Sequence, residues 1–194
     1  MRNRTLTRTT NETTIDLSLE LDGNGNAAID TGVGFLDHML TLFTKHGLFN
    51  LSVTCNGDLH VDQHHTVEDI GIVLGQAFAS CVGTKEGINR YASVTTPMDE
   101  SLSTVTVDIS GRPYLIFHVD GLKEKVGDFD TELVAEFFQA FVNQAHINLH
   151  INLVYGHNSH HIIESIFKGF GRALDKATCK NPRIEGIPST KGSL

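Results

Sequence analysis

The sequence predicts an α+β fold: a two-layer α/β sandwich formed by internal duplication, with two similar halves that each hold a mainly antiparallel sheet and two helices. Three observations predict it. The stretch His64-His65-Thr66-Val67-Glu68 returns as His160-His161-Ile162-Ile163-Glu164, an offset of 96 positions. At that offset Val67 falls on Ile163, Ile70 on Ile166, Gly75 on Gly171 and Leu51 on Ile147. A strand–helix–strand–strand–helix order then reads twice, once over residues 1–91 and once over 92–194, the two making one compact catalytic domain.

In the first half, Ile15–Leu21 alternates apolar with polar residues and reads as a half-buried strand. Asp22–Asn26 is a turn, and Ala27–Thr31 begins the returning strand. Gly32 and Gly34 bracket a corner before Phe35–Phe43, whose apolar residues recur at helical spacing and which Gly47 stops. Phe49–Cys55 and Leu59–Val61 suggest a hairpin around Asn56-Gly57. A long helix follows over Thr66–Val82, and Gly87–Tyr91 closes the half.

In the second half, Ala92–Val94 opens toward a turn at Pro97, and Leu102–Ile109 and Tyr114–Val119 alternate as strands joined at Ser110–Pro113. Lys123–Gly127 reads as a surface connection. Leu133–Asn143 is a helix, Ile147–Tyr155 a strand, Gly156–Ser159 a turn and Ile162–Lys176 the second long helix.

Composition narrows the function. The chain has 194 residues, enough for one good core or two small halves that share one. No apolar run approaches a membrane span, and the start Met1–Thr5 lacks the apolar region of a signal peptide. Cys55, Cys81 and Cys179 are scattered and show no CxxC spacing, which points to a reducing cytoplasm and no disulfide framework. A formal charge of −8 argues against a nucleic-acid partner. The 11 histidines are the compositional outlier.

Histidine and glutamate carry the chemistry. On a helix, residues four apart share a face and residues three apart lie beside it, so Glu68 sits over His64 and His65, and Glu164 over His160 and His161. Imidazole with carboxylate suits a divalent transition metal. Neither unit alone fills a coordination shell, so the two are expected to meet and share two ions. His38 lies on the first helix, and sliding the second half by two residues from the 96-residue offset puts Glu136 in its place. The candidate ligands are therefore His38, Glu136, His64, His65, Glu68, His160, His161 and Glu164. Adjacent histidines project in different directions, so each pair divides between the two metals. More than four positions with hard carboxylate favour an octahedral ion such as Mn²⁺ over tetrahedral Zn²⁺. His46, two turns beyond His38, borders the site, while His150 alternates with Leu149 and Ile151 in a strand and is an alternative ligand to Glu136.

Arg90, Arg112 and Lys191 stand at corners or in the tail beside glycines and fit a phosphate. No GxxxxGK[ST] or GxGxxG supports a nucleotide. A dimetal phosphoesterase, a metal store and a purely structural metal remain as alternatives on these residues, and whether Asp99 or Glu100 reaches the site stays open.

Gly34–Leu40, Asp62–Asp69, Asn158–Glu164 and Ser189–Gly192 together make the chain resemble, over nearly its whole length, the imidazoleglycerol-phosphate dehydratase family of histidine biosynthesis in its monofunctional form. The resemblance implies the ribosomal protein S5 domain 2-like fold and a cytoplasmic hydro-lyase with two Mn²⁺ per active site. It also implies a homo-oligomer of 24 subunits with active sites between subunits, and no membrane or nucleic-acid partner. The implied reaction removes water from D-erythro-imidazole-glycerol phosphate to give imidazole-acetol phosphate, through a metal-bound imidazolate and a diazafulvene-like intermediate. By match to the family motifs, one metal takes His38, His65, Glu68 and His160. The other takes His64, His161 and Glu164 with Glu136, where many relatives carry histidine. The phosphate is implied to meet Arg90, Arg112, Ser189 and Lys191. Glu12, His38 and His46 are implied to meet substrate, and Glu12, Glu68, Glu164 and His46 form the catalytic set, with Glu12 as acid/base.

Overall fold

The computed structural model describes residues 1–194. The first half contributes β1 (Asn3–Thr9), β2 (Thr13–Glu20), β3 (Ala27–Asp30), α1 (Gly34–Gly47), β4 (Asn50–Gly57) and α2 (His64–Val82). The second contributes β5 (Tyr91–Met98), β6 (Ser101–Asp108), β7 (Tyr114–His118), the short pair β8 (Lys125–Val126) and β9 (Phe129–Asp130), α3 (Leu133–Ala145), β10 (Asn148–Tyr155) and α4 (Ser159–Thr178). The fold is α+β, as expected. Its two four-stranded sheets run β1-β2-β4-β3 and β5-β6-β10-β7, the same order twice. In each sheet the last strand is parallel to its neighbour (β3 to β4, β7 to β10) and the other pairings are antiparallel.

Alternation decides which face is buried. In β2, Thr13, Ile15, Leu17 and Leu19 turn inward, and in β6 Ser101, Ser103, Val105 and Val107 do the same. Helices cover those faces, α2 on the first sheet and α4 on the second, and the helices then pair across the halves, α2 with α3 and α1 with α4. The two halves therefore meet through their helices and share one core. Phe170 of α4 marks the junction: its ring stacks on Phe43 of α1 at 5.3 Å and stands edge-on to Phe138 and Phe141 of α3, each at 5.1 Å.

Two glycines set the helix spacing. A Cβ on Gly171 would lie 2.4 Å from the Phe43 carbonyl oxygen, and one on Gly75 would lie 2.6 Å from that of Phe141. Only glycine admits backbone that close. These are the positions that the 96-residue offset superposes.

Several expected elements differ. Leu59–Val61 forms no strand: Val61 N–H bonds the Asp58 carbonyl in a turn, and both apolar side chains are exposed. The hairpin is thus absent, and β4 takes β3 as its second neighbour. Strand β1, which the sequence does not predict, is an edge strand of mostly polar, exposed residues with little alternation. The connection at Lys123–Gly127 contains β8, whose hairpin with β9 turns at Gly127 (φ 58°). The long helices each begin earlier than expected, at His64 and Ser159, so both His-His pairs lie inside the first turn. No helix is long and apolar enough to cross a membrane.

Candidate metal centre

Each His-His pair follows a side-chain oxygen two residues before it that accepts from the first histidine's N–H; in α4 this is the N-cap Asn158, whereas the N-cap of α2, Gln63, makes no such bond. Asp62 accepts from His64 N–H at 2.8 Å, and Asn158 accepts from His160 N–H at 3.0 Å and from His161 N–H at 3.4 Å. Asp62 and Asn158 are again partners at the 96-residue offset. At the start of α1, Asp37 instead accepts from the backbone and hydroxyl of Thr31, at 3.0 and 2.5 Å, which closes the Thr31–Val33 corner and aims the helix.

Three ligand-bearing side chains converge. His38, His160 and Glu164 each offer one donor atom within 4.8 Å of the others. Glu164 Oε2 lies 3.6 Å from His38 Nε2 and 3.4 Å from His160 Nε2. The Glu164 side chain is 10 % exposed, whereas His38 and His160 are 46 % and 40 % exposed, so the group opens on one side. Lys168, one turn on, reaches Glu164 Oε1 at 2.5 Å. Burial pushes the Glu164 carboxyl up, but the Lys168 ammonium overrides this and holds it below its ordinary value. A cavity of about 560 Å³ borders the group, lined in part by Phe35, His38, Gln63, Asp128 and His160. One buried carboxylate and two imidazoles at this separation fit a borderline divalent ion.

The other expected ligands are arranged differently. Glu164 groups with His160 and not with His161, because a residue at i+4 lies nearly above residue i while i+3 falls to the side. His64 Nε2 lies 3.7 Å from Glu68 Oε2, the same i,i+4 relation in the first half. His65 and His161 turn away from these pairs. His65 Nδ1 meets Asp58 at 2.9 Å with Glu12 Oε1 3.7 Å from its Nε2, and His161 Nδ1 meets Glu100 at 2.7 Å with Asp99 3.9 Å from its Nε2. The Asp58 hydrogen bond raises the pKa of His65, and the Glu100 hydrogen bond raises that of His161. Glu100, receiving His161 and the Asn158 amide, is held well below the usual carboxylate range. Glu136 is exposed on α3 and enters no three-ligand group within the chain. His150 is exposed between the buried Leu149 and Ile151, on the sheet face away from the helices. His46 is partly buried beside Lys45 and Arg172, and burial, then Lys168 and Arg172, lowers its pKa.

The cations sit elsewhere. Arg90 N–H bonds the Ala177 carbonyl, placing Arg90 at the far end of α4 from His160, about 25 Å away at 1.5 Å per residue. Its guanidinium is bidentate to Asp108 at 2.8 and 3.2 Å and also donates to the Pro188 carbonyl at 2.9 Å, which ties the tail there. Arg112 donates to the Ser110 carbonyl, and Lys191 N–H to Ser189 Oγ. The motifs do not point to Asp58 or Lys168, and they leave Glu100 open as a residue near the site. Lys168 was visible as the i+4 neighbour of Glu164; Asp58 and Glu100 lie in loops, where no periodicity reports direction.

Comparison with known proteins shows the family. The family model described as imidazoleglycerol-phosphate dehydratase matches residues 31–174. The chain is 64 % identical to imidazoleglycerol-phosphate dehydratase of Oceanobacillus iheyensis over 194 residues, covering 100 % of both. It is 60 % identical to that of Geobacter metallireducens over 193 residues, covering 100 % of this chain and 99 % of the relative. Among solved structures, that of the Staphylococcus aureus enzyme superposes with a TM-score of 0.84 at 47 % identity, covering 92 % of this chain and 99 % of the other. The Pyrococcus furiosus enzyme does so with a TM-score of 0.84 at 37 % identity, covering 97 % and 100 %. The duplicated His-His-x-x-Glu helices thus sit on a fold and a sequence that agree over the whole chain, and the chain belongs to the imidazoleglycerol-phosphate dehydratase family of hydro-lyases.

Proposed function

We propose that this chain removes water from imidazole-glycerol phosphate to give imidazole-acetol phosphate in histidine biosynthesis, in the cytoplasm, and that it needs divalent metal, two Mn²⁺ per site. The convergence of His38, His160 and Glu164 in a family member carries the reading. Together with His64, His65, Glu68, His161 and Glu136 they would hold the ions, the last groups meeting them in an assembled particle. The bound ions supply Lewis-acid chemistry that lowers the pKa of the substrate's imidazole nitrogens. Glu12, exposed and beside His65, moves the proton at the carbon chain as general acid/base. Arg90, Arg112, Ser189 and Lys191 bind the phosphate, and His46 contacts the substrate as a member of the catalytic set.

The span of α4 supports a site shared between subunits. Arg90 and the His160 group stand at opposite ends of that helix, so one chain cannot place its own cations on the phosphate of a substrate bound at its own His160. A homo-oligomer, with 24 subunits as in the family reading, supplies the other half. We read residues 1–91 and 92–194 as the duplicated halves of one catalytic domain, a reading supported by the matching sheet orders and by Gly75 and Gly171.

The test is turnover by chelator-stripped protein with and without Mn²⁺. Formation of the ketone only with metal, near two ions per chain, is expected. Metal binding without any ketone product would overturn the dehydratase assignment, and release of inorganic phosphate would indicate a dimetal phosphoesterase.

A further inference from the structure

We infer that Asp58 and Glu100 are positioning residues, one in each half, that lock His65 and His161 with the proton on Nδ1 and so present Nε2 of each ring as the metal-ligating nitrogen. The inference rests on the metal reading proposed above but on different residues. Asp58 Oδ2 lies 2.9 Å from His65 Nδ1, and Glu100 Oε2 lies 2.7 Å from His161 Nδ1. An ionised carboxylate only accepts hydrogen bonds, so Nδ1 must donate, and a neutral ring then carries its lone pair on Nε2. A ligating histidine commonly gives its second N–H to a carboxylate in this way, which fixes both tautomer and ring direction.

The side facing Nε2 is looser in both halves. Glu12 stands 3.7 Å from His65 Nε2 and Asp99 stands 3.9 Å from His161 Nε2, beyond hydrogen-bond range. The Glu12 and Asp99 side chains are 52 % and 72 % exposed, against 16 % for Asp58 and 27 % for Glu100. Each ring is therefore gripped on Nδ1 by a shielded carboxylate and left free on Nε2.

The two grips differ in support. Glu100 Oε1 also accepts from Asn158 N–H at 2.9 Å and from Ser101 Oγ at 2.9 Å, which fastens the β5–β6 turn to the residue that caps α4. Asp58 has one buried oxygen, Oδ1, with no partner, and its N–H bonds the Glu12 carbonyl at 3.0 Å. His161 is thus the better preorganised ring, and Asp58 links His65 to the loop that carries Glu12.

The experiment uses the assembled protein. Mn²⁺ affinity is measured by chelator competition for wild type, Asp58→Ala, Glu100→Ala and Glu100→Gln, with circular dichroism as the check on folding. Glu100→Ala and Asp58→Ala are expected to weaken Mn²⁺ binding by about 10- to 100-fold. Glu100→Gln, which keeps an acceptor oxygen, is expected to lose less than Glu100→Ala. Independently, ¹⁵N-histidine spectra of metal-free wild type should show His65 and His161 as Nδ1–H tautomers. Nε2–H tautomers at both rings, or folded alanine variants that bind Mn²⁺ like wild type, overturn the inference while leaving the metal reading intact. Wild type that binds no Mn²⁺ at all overturns both.

Discussion

At the scale of residues, charge is balanced by pairing inside a half-closed site. Lys168 neutralises Glu164, both side chains being largely buried. Removing it leaves a largely buried carboxylate without its cation, which costs up to about 3 kcal/mol for a buried pair broken on one side. Lys168→Met is therefore expected to lower the melting temperature of metal-free protein, and added Mn²⁺ should raise it more in the variant than in wild type. Equal Mn²⁺ shifts in thermal denaturation would show that the ion does not take over the cation's role. His46 gives a pH signature. Burial, reinforced by Lys168 and Arg172, depresses its folded pKa below the ordinary 6.5. The unfolded chain then binds the proton first, so this contribution to stability is present above about pH 6.5 and is lost as pH falls through the folded pKa. His65 and His161, with raised values, act oppositely and lose their contribution as pH rises above the ordinary value through their folded pKa. Metal-free His46→Gln should lose less stability than wild type between pH 7 and pH 5. Parallel urea midpoints for the two proteins would count against this.

At the scale of elements, caps and crossings decide where the histidines stand. Asn158 closes the first turn of α4 and receives both histidine amides, so Asn158→Ala is expected to destabilise by about 1 kcal/mol. The backbone N–H of residue 158, which anchors Glu100, survives this substitution, so the Glu100 bond should persist. Gly171 faces the Phe43 carbonyl at the α1–α4 crossing, and backbone cannot give way as a side-chain tip can. Gly171→Ala is thus expected to cost about 1–3 kcal/mol despite the better helix propensity of alanine. Gly34, at the start of α1, has nothing within 4 Å of its would-be Cβ and a φ outside the left-handed region, so Gly34→Ala should stabilise by about 0.4–1 kcal/mol. Denaturant midpoints moving in the same direction for both alanines would refute the crossing argument.

At the scale of the whole molecule, the repeat places two similar helix starts on one shared core, and helix length then separates the metal group from the cations. The shared site proposed above predicts complementation. Subunits carrying His160→Ala and subunits carrying Arg90→Ala should each be inactive as pure assemblies, yet regain dehydration when unfolded together and co-assembled. No recovery in mixed particles whose composition is verified by mass spectrometry would place both groups in one subunit's site.

The sequence by itself determined the α+β class, the repeat, the helices and the His-His-x-x-Glu units, because periodicity and a second copy are local signals that burial reinforces. It also put His38 on the first helix, as a candidate ligand with Glu136 as its counterpart in the repeat. Tertiary structure alone decided that α1 pairs with α4 and α2 with α3, and hence that His38, His160 and Glu164 form the group. It alone also decided that Asp58 and Glu100 grip the remaining histidines. The physical reason is direction: spacing along a helix says which residues share a face, but which face meets which helix is set by packing in the shared core. Loop carboxylates have no period at all, so only the folded chain shows where they reach.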